Sequence, residues 1–192
     1  KAIVLLIRIK MAHIKIDENL PGIRGLMDFR PETAQPMNDL AEILLREDNT
    51  LSRGDRELIA TYVSYLNGCF FCQNEHGGIA QHYLQCDISF IDDIKENYKD
   101  SPISDKLKSL LAIAASVQKG GKNVTEEEVE QARKFGATDM EIHDTVLISA
   151  AFCMFNRYVD GLGTSAPLDR NFYVERGKQR AEEGYAHFDA KN

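Results

Sequence analysis

The residues with the clearest chemical potential in this sequence are two cysteines and a histidine within eight positions, Cys69, Cys72 and His76. If a helix begins here, residues three and four positions apart share one face, so the three side chains line up. The first turn of a helix presents unpaired N–H groups and the positive end of the helix dipole, which both favour a thiolate. We therefore expect one thiol of the pair to ionise more readily than an ordinary cysteine.

A thiolate in this position could attack a peroxide or a disulfide. Attack on a peroxide would leave a sulfenic acid on Cys72. The Cys69 thiol would then condense with it to give a disulfide, which an external reductant would reopen by thiol exchange. His76 could accept the Cys72 proton, and Glu57, twelve residues before Cys69, could hold the imidazole or complete a proton relay.

A zinc site is the first alternative interpretation of this cluster. Zinc sites of this type usually contain a second pair of ligands at a regular spacing, and the sequence has none. The ligands would be Cys69, Cys72 and His76, with His82 or Cys86 as the fourth.

Two buried core thiols are the other alternative, because free cysteine is among the most buried residue types. Taken by itself, Glu57 would be interpreted as a solvated charge on the side of a helix. Cys86 and Cys153 have no chemical partners in the sequence and are predicted to be core thiols.

The composition places limits on the class of protein. A chain of 192 residues with a net charge of −7 can form a core but lacks the basic surface of a nucleic-acid-binding protein. No apolar stretch approaches the roughly 20 residues needed to cross a bilayer. The apolar start is interrupted by Arg8 and Lys10, and Met11 resembles a natural start, so residues 1–10 are interpreted as an extension. We expect a cytoplasmic location.

Apolar residues recur at helical spacing along most of the chain, which predicts an all-α fold. An irregular lead-in with several Pro and Gly residues is expected over 17–37, and the only strand-like run is 12–16. The predicted helices are 37–46, 52–66, 69–84, 88–98, 105–118, 125–135, 138–159 and 171–185.

The two halves of the chain share a spacing. Glu57 precedes Cys69 by twelve residues, Glu141 precedes Cys153 by twelve, and Phe71 corresponds to Phe155. The match predicts two related helical pairs, which together form an internal two-fold helical repeat. Only the first pair carries the reactive cysteines, histidine and glutamate. Chance is the alternative explanation.

At these residues the sequence resembles the alkylhydroperoxidase D-like, peroxidase-related branch of the carboxymuconolactone decarboxylase superfamily. The resemblance is carried by LS at 51–52, RELI at 56–59, NGCFFC at 67–72 and His76, with further similarity at 21–33 and in NRYVDGLG at 156–163. It covers roughly residues 19–165. Phe71 stands where the founding peroxidase subgroup has a histidine. This difference concerns how Cys69 is activated and which reductant is used.

The resemblance implies an alkylhydroperoxidase D-like helical bundle that forms homo-oligomers. It also implies that Cys72 is oxidised to sulfenic acid, that Cys69 closes the disulfide, and that His76 and Glu57 form the proton relay. Members that act as decarboxylases lack the thiol pair, so lactone chemistry is not expected.

These observations lead to one set of expectations. Residues 1–18 are expected to be an N-terminal extension or lead-in, 19–165 the helical domain, and 166–192 a polar, part-helical tail. The expected function is reduction of alkyl hydroperoxides or hydrogen peroxide, with a thiol or lipoyl-type reductant as partner and without a metal, cofactor or nucleic acid. The alternatives are a disulfide oxidoreductase and a non-catalytic helical module with a zinc site.

Overall fold

The computed structural model describes residues 12–186. Within this range the chain is helical and has no strand, which confirms the predicted all-α fold. The elements in chain order are α1 (Ile23–Phe29), α2 (Pro31–Leu45), α3 (Arg53–Leu66), α4 (Phe70–Leu84), α5 (Ile88–Asn97), α6 (Asp105–Lys119), a short 3₁₀ turn (Gly121–Asn123), α7 (Glu126–Lys134), α8 (Asp139–Gly161) and α9 (Arg170–Glu183).

The N-terminal segment differs from the prediction. The stretch 17–37 was expected to be irregular, but α1 and the first part of α2 lie within it. Pro31 is the first residue of α2, where a missing N–H costs nothing because that group has no partner inside the helix. Pro36 lies inside α2 and is accommodated. The strand-like run at 12–16 does not form a strand, and the proposed extension at 1–10 lies outside the described residues.

Side-chain caps fix the starts of four helices where the sequence predicted them. The Ser52 and Ser104 side chains accept hydrogen bonds from backbone N–H groups in the first turns of α3 and α6. Thr125 and Thr138 open α7 and α8 with complete capping boxes. These caps satisfy N–H groups that would otherwise lack partners, so the helix starts are well determined by local sequence.

Helix α3 lies at the centre of the bundle and packs against α4, α6 and α8. Its core residues Leu58, Ile59 and Val63 are fully buried. The buried Arg56 guanidinium donates to the carbonyl oxygens of Leu44 and Glu47 and so ties the end of α2 to α3. The end of α2 is thereby held against α3.

Helix α9 packs closely along α4. The two helices meet at Gly78 and Gly177, where an added Cβ on Gly177 would lie 2.4 Å from the Gly78 carbonyl carbon. Only glycine allows such an approach. The predicted helix of the C-terminal segment is present, and it is part of the packed bundle.

The second half of the predicted repeat has a different local structure. Glu57 and Cys69 lie on either side of a break between α3 and α4, whereas Glu141 and Cys153 lie in one continuous helix, α8. Because the sequence also predicts one continuous helix over 138–159, this difference leaves the internal two-fold helical repeat a prediction.

Among residues 12–186, no helix is both long enough and apolar enough to span a membrane.

Candidate active site

The cysteine pair lies at the break between α3 and α4. Gly68 has a positive φ of 73°, a conformation that glycine adopts without strain, and it lets the chain turn into the next helix. Cys69 is the N-cap of α4, and its backbone N–H donates to the Ser64 carbonyl at 3.0 Å. Cys72 follows in the first turn. The local sequence thus places both thiols at a helix start, as predicted.

The two sulfur atoms are buried and are close enough to share a hydrogen bond. The pKa of Cys72 is raised well above that of an ordinary thiol. The causes, from largest to smallest, are the hydrogen bond with Cys69, burial, and the negative charge that Cys69 can carry. For Cys72 the structure therefore contradicts the expected ease of ionisation, because burial and the second sulfur outweigh the helix dipole. Cys72 needs a base to take its proton.

Asn156 of α8 contacts Cys72 of this pair. Its side chain hydrogen-bonds to Cys72, which acts to lower the pKa of that thiol. The amide nitrogen also donates to Ser64 Oγ at 3.0 Å, and the amide oxygen accepts from Asn67 at 2.8 Å. In the sequence, Asn156 stands out only within the family-like segment 156–163, whereas the structure places its amide against the Cys72 sulfur.

A buried carboxylate orients the histidine. The Nδ1 atom of His76 lies 2.7 Å from Oε2 of Glu57. The second carboxylate oxygen, Oε1, accepts a hydrogen bond of 2.7 Å from the Tyr185 hydroxyl. Glu57 is fully buried, so its interpretation as a solvated charge is wrong. Because a carboxylate only accepts, Nδ1 carries the proton and Nε2 is left as the acceptor.

Aromatic rings enclose the imidazole. The ring of Phe152 meets His76 edge-on with a centroid distance of 4.6 Å, and the ring of Tyr185 lies nearly parallel to it at 6.1 Å. Tyr185 follows α9 and was predicted only as the end of a tail helix. No spacing pattern in the sequence connects it with Glu57, so this contact cannot be predicted from the sequence.

Cys72 and His76 both line one apolar cavity of about 70 Å³, and Cys69 is not among its lining residues. This volume is well above the roughly 10–15 Å³ that a cavity needs to hold one water, so water or the reacting end of a small organic molecule can enter. Its apolar wall comes from α1, α2, α4 and α8 and includes Ile23, Met27, Met37, Ala41, Phe71, Phe152 and Phe155.

A buried ion pair also lies in the cavity wall. Oε1 of Glu75 is 2.7 Å from Nε of Arg176, and both side chains are nine-tenths buried. Arg176 belongs to α9, so the C-terminal helix contributes to the site through both Arg176 and Tyr185. Neither residue was singled out from the sequence.

The zinc alternative receives no support from the geometry. In the described part of the chain, no three Cys, His, Asp or Glu side chains are grouped so that they could hold a metal ion. The His76 Nδ1 atom is engaged by Glu57, and His82 and Cys86 line a different depression near the end of α4. Cys153 is buried in the core, as predicted for a core thiol, whereas Cys86 is only partly buried at the edge of the core.

Comparison with known structures shows the same fold in peroxidase-related proteins. An alkylhydroperoxidase AhpD core protein from Ralstonia eutropha JMP134, described as an uncharacterized peroxidase-related protein, is 26% identical, with a TM-score of 0.73 and coverage of 82% of this chain and 81% of its own. An uncharacterized peroxidase-related protein from Silicibacter sp. TM1040 is 24% identical, with a TM-score of 0.72 and coverage of 82% and 80%.

Like the second structure, a third and more distant one shows the fold alone. It is a protein of unknown function from Agrobacterium tumefaciens, described as a candidate antioxidant defence protein AhpD, with 20% identity, a TM-score of 0.65 and coverage of 75% of this chain and 97% of its own. A comparison with curated proteins finds no match. The model of the carboxymuconolactone decarboxylase family matches residues 31–83 and 91–164. With its alkylhydroperoxidase D-like helical fold and its cysteine pair, this chain belongs to the carboxymuconolactone decarboxylase family.

Proposed function

We propose that this protein is a thiol-dependent peroxidase that reduces organic hydroperoxides through Cys72 and Cys69. The observation that carries the proposal is that Cys72 lines the same apolar cavity as His76, whose imidazole is held by the buried Glu57. The similarity to peroxidase-related structures supports it.

The reaction begins with proton transfer from the Cys72 thiol to Nε2 of His76. The raised pKa of Cys72 makes this base necessary at neutral pH. The thiolate attacks the terminal peroxide oxygen, the O–O bond breaks, and the imidazolium proton passes to the departing alkoxide. The products are an alcohol and a Cys72 sulfenic acid, so the sulfur is oxidised by two electrons and the peroxide is reduced by two.

The Cys69 thiol then attacks the sulfenic sulfur, which releases water and forms a disulfide. Cys69 lies within hydrogen-bonding distance of Cys72, so the two sulfur atoms need only a small movement to bond. A reductant must reopen this bond by thiol exchange. Because both sulfurs are buried, a slender dithiol of the lipoyl type suits the site better than a cysteine on a protein surface.

The apolar cavity wall favours organic hydroperoxides over hydrogen peroxide as substrates. An alkyl group would bury its surface against residues such as Met27 and Phe155, which gives a binding contribution that hydrogen peroxide lacks.

The test is a thiol titration before and after one equivalent of tert-butyl hydroperoxide, with the products identified by mass spectrometry. Wild type should lose two thiols and gain one Cys69–Cys72 disulfide, and Cys69→Ser should stop at the Cys72 sulfenic acid. Cys72→Ser should consume no peroxide, and Cys86→Ser is the matched control that should behave as wild type. Peroxide consumption by Cys72→Ser at the wild-type rate would refute the proposal.

A further inference from the structure

Two buried polar atoms of non-cationic side chains in the wall of this cavity lack a hydrogen-bond partner. Asn38 of α2 is 5% exposed and Glu75 of α4 is 6% exposed. Among residues 12–186, neither Nδ2 of Asn38 nor Oε2 of Glu75 has a hydrogen-bond partner. Both residues line the cavity together with Cys72 and His76. Buried polar groups are nearly always paired, so two orphaned atoms in one cavity require an explanation.

The two atoms are chemically complementary. Nδ2 of Asn38 is a donor, and Oε2 of Glu75 is an acceptor whose companion oxygen is engaged by Arg176 at 2.7 Å. Arg176 contacts only Oε1 of this buried side chain, which leaves Oε2 available. A molecule that satisfies both atoms needs one hydroxyl hydrogen and one acceptor oxygen.

We propose that Asn38 and Glu75 bind the peroxide group of an organic hydroperoxide. This inference rests on the proposed function and assigns the groups that would hold the substrate for it. The peroxide O–H donates to Oε2 of Glu75, and the oxygen attached to carbon accepts from Nδ2 of Asn38. An organic hydroperoxide supplies this donor and acceptor and an alkyl group for the apolar wall.

The orientation explains how the site would distinguish the two peroxide oxygens. As the Cys72 sulfur bonds to the terminal oxygen and the O–O bond breaks, negative charge develops on the oxygen attached to carbon. The Asn38 amide donates to that oxygen and stabilises the charge until the proton from His76 arrives, leaving an alcohol and a sulfenic acid. A donor aimed at developing charge in a water-poor site acts mainly on the transition state.

The test compares Asn38→Leu with Gln35→Leu, which removes an amide from the exposed side of the same helix. Two second-order rate constants are measured for Cys72 in each protein, one with tert-butyl hydroperoxide and one with iodoacetamide. Alkylation needs the thiolate but no donor for an alkoxide. The ratio of the two rate constants therefore cancels any change in the fraction of thiolate.

Loss of one such donor should lower the peroxide-to-alkylation ratio of Asn38→Leu by about 100-fold. Gln35→Leu should keep the wild-type ratio. If Asn38→Leu does not fold, Asn38→Asp keeps the shape but replaces the donor with an acceptor, and its ratio should fall as well. A ratio in the folded variant within twofold of wild type would overturn the inference, because an amide that only binds an ordered water would not affect this step.

The two proposals fail in different ways. If wild type forms no sulfenic acid or disulfide with the hydroperoxide, the proposed function fails and this inference fails with it. If wild type reacts and the Asn38 variants keep its ratio, only the inference fails.

Discussion

The Tyr185 hydroxyl donates a hydrogen bond of 2.7 Å to Oε1 of Glu57, a residue 128 positions earlier in the chain. Because Nδ1 of His76 lies 2.7 Å from the other oxygen, the carboxylate is held at both ends. Burial, together with the charge of Glu57, raises the pKa of Tyr185 well above that of an ordinary tyrosine. The hydroxyl therefore stays protonated and remains a donor wherever the protein is folded at neutral pH.

Removing this donor should destabilise the protein. Tyr185→Phe keeps the ring but leaves Oε1 of the buried Glu57 without its partner. A lost hydrogen bond to a buried charged group should lower the free energy of unfolding by about 1–3 kcal/mol in urea denaturation. Tyr158→Phe, at a half-buried position on α8, is the matched control and should change it by less than about 0.5 kcal/mol. Equal stability of the two variants would mean that the Tyr185 contact contributes nothing.

Neutralising the carboxylate should slow the reaction of Cys72 with peroxide. Glu57→Gln would no longer favour the His76 tautomer in which Nε2 is the acceptor, so the thiol would lose its base. The rate at pH 7 should fall by about 10²- to 10⁴-fold, as measured by the rate of disulfide formation. Raising the pH should restore part of the rate, because hydroxide then ionises the thiol directly. The exposed Glu96→Gln is the control, and a pH-independent loss in Glu57→Gln would argue for a structural defect instead.

The raised pKa of Cys72 predicts a loss of stability at alkaline pH. The pKa of this thiol in the folded protein lies well above its value in the unfolded chain, roughly 8.5. The protonated thiol therefore stabilises the fold below roughly pH 8.5, and this contribution is lost as the pH rises towards the folded pKa. Urea denaturation between pH 7 and 10 should show a declining free energy of unfolding. The decline should be smaller in Cys72→Ser, and an identical slope in the two proteins would contradict the prediction.

A side chain at the crossing of α4 and α9 should displace the C-terminal helix. In Gly177→Ala the new Cβ would lie 2.4 Å from the Gly78 carbonyl carbon, so the helices must separate. Overpacking of this type should lower the free energy of unfolding by about 1–3 kcal/mol, as measured by urea denaturation. It should also slow the peroxide reaction, because Arg176 and Tyr185 would move with α9. Gly161→Ala, at a helical glycine with open space around it, should instead leave the stability unchanged or raise it by up to about 1 kcal/mol. A Gly177→Ala protein as stable as wild type would show that the crossing is not tight in solution.

Most of the fold could be predicted because its signals are local. Helical spacing and the caps at Ser52, Ser104, Thr125 and Thr138 depend on residues within one or two turns of each other, so they can be read from the sequence. The segment 17–37 was misjudged because proline was counted as a helix breaker. At Pro31 it begins a helix, and at Pro36 the packing of α2 outweighs the local cost.

The core of the candidate site was predictable for the same reason. Cys69, Cys72 and His76 lie on one stretch of α4, and Glu57 reaches His76 from the adjacent helix, as the spacing indicated. The pKa of Cys72 was misjudged, because its burial and its distance from Cys69 depend on the whole bundle.

Asn38, Asn156 and Tyr185 could not be found in the same way. Each lies in a helix, or directly after one, that is distant in the chain from the cysteine pair. Isolated amides and tyrosines are common on ordinary helices, so only the packed structure brings them to the candidate site.

The contact between Gly78 and Gly177 also offers a criterion for sorting related sequences. Each glycine is needed only while the other helix lies against it, so the two should be kept or lost together among relatives. Sequences that keep both glycines should also keep a hydroxyl-bearing aromatic residue at the position of Tyr185. Relatives without the pair must orient their glutamate by other means, and this difference would divide the family into groups before any of them is assayed.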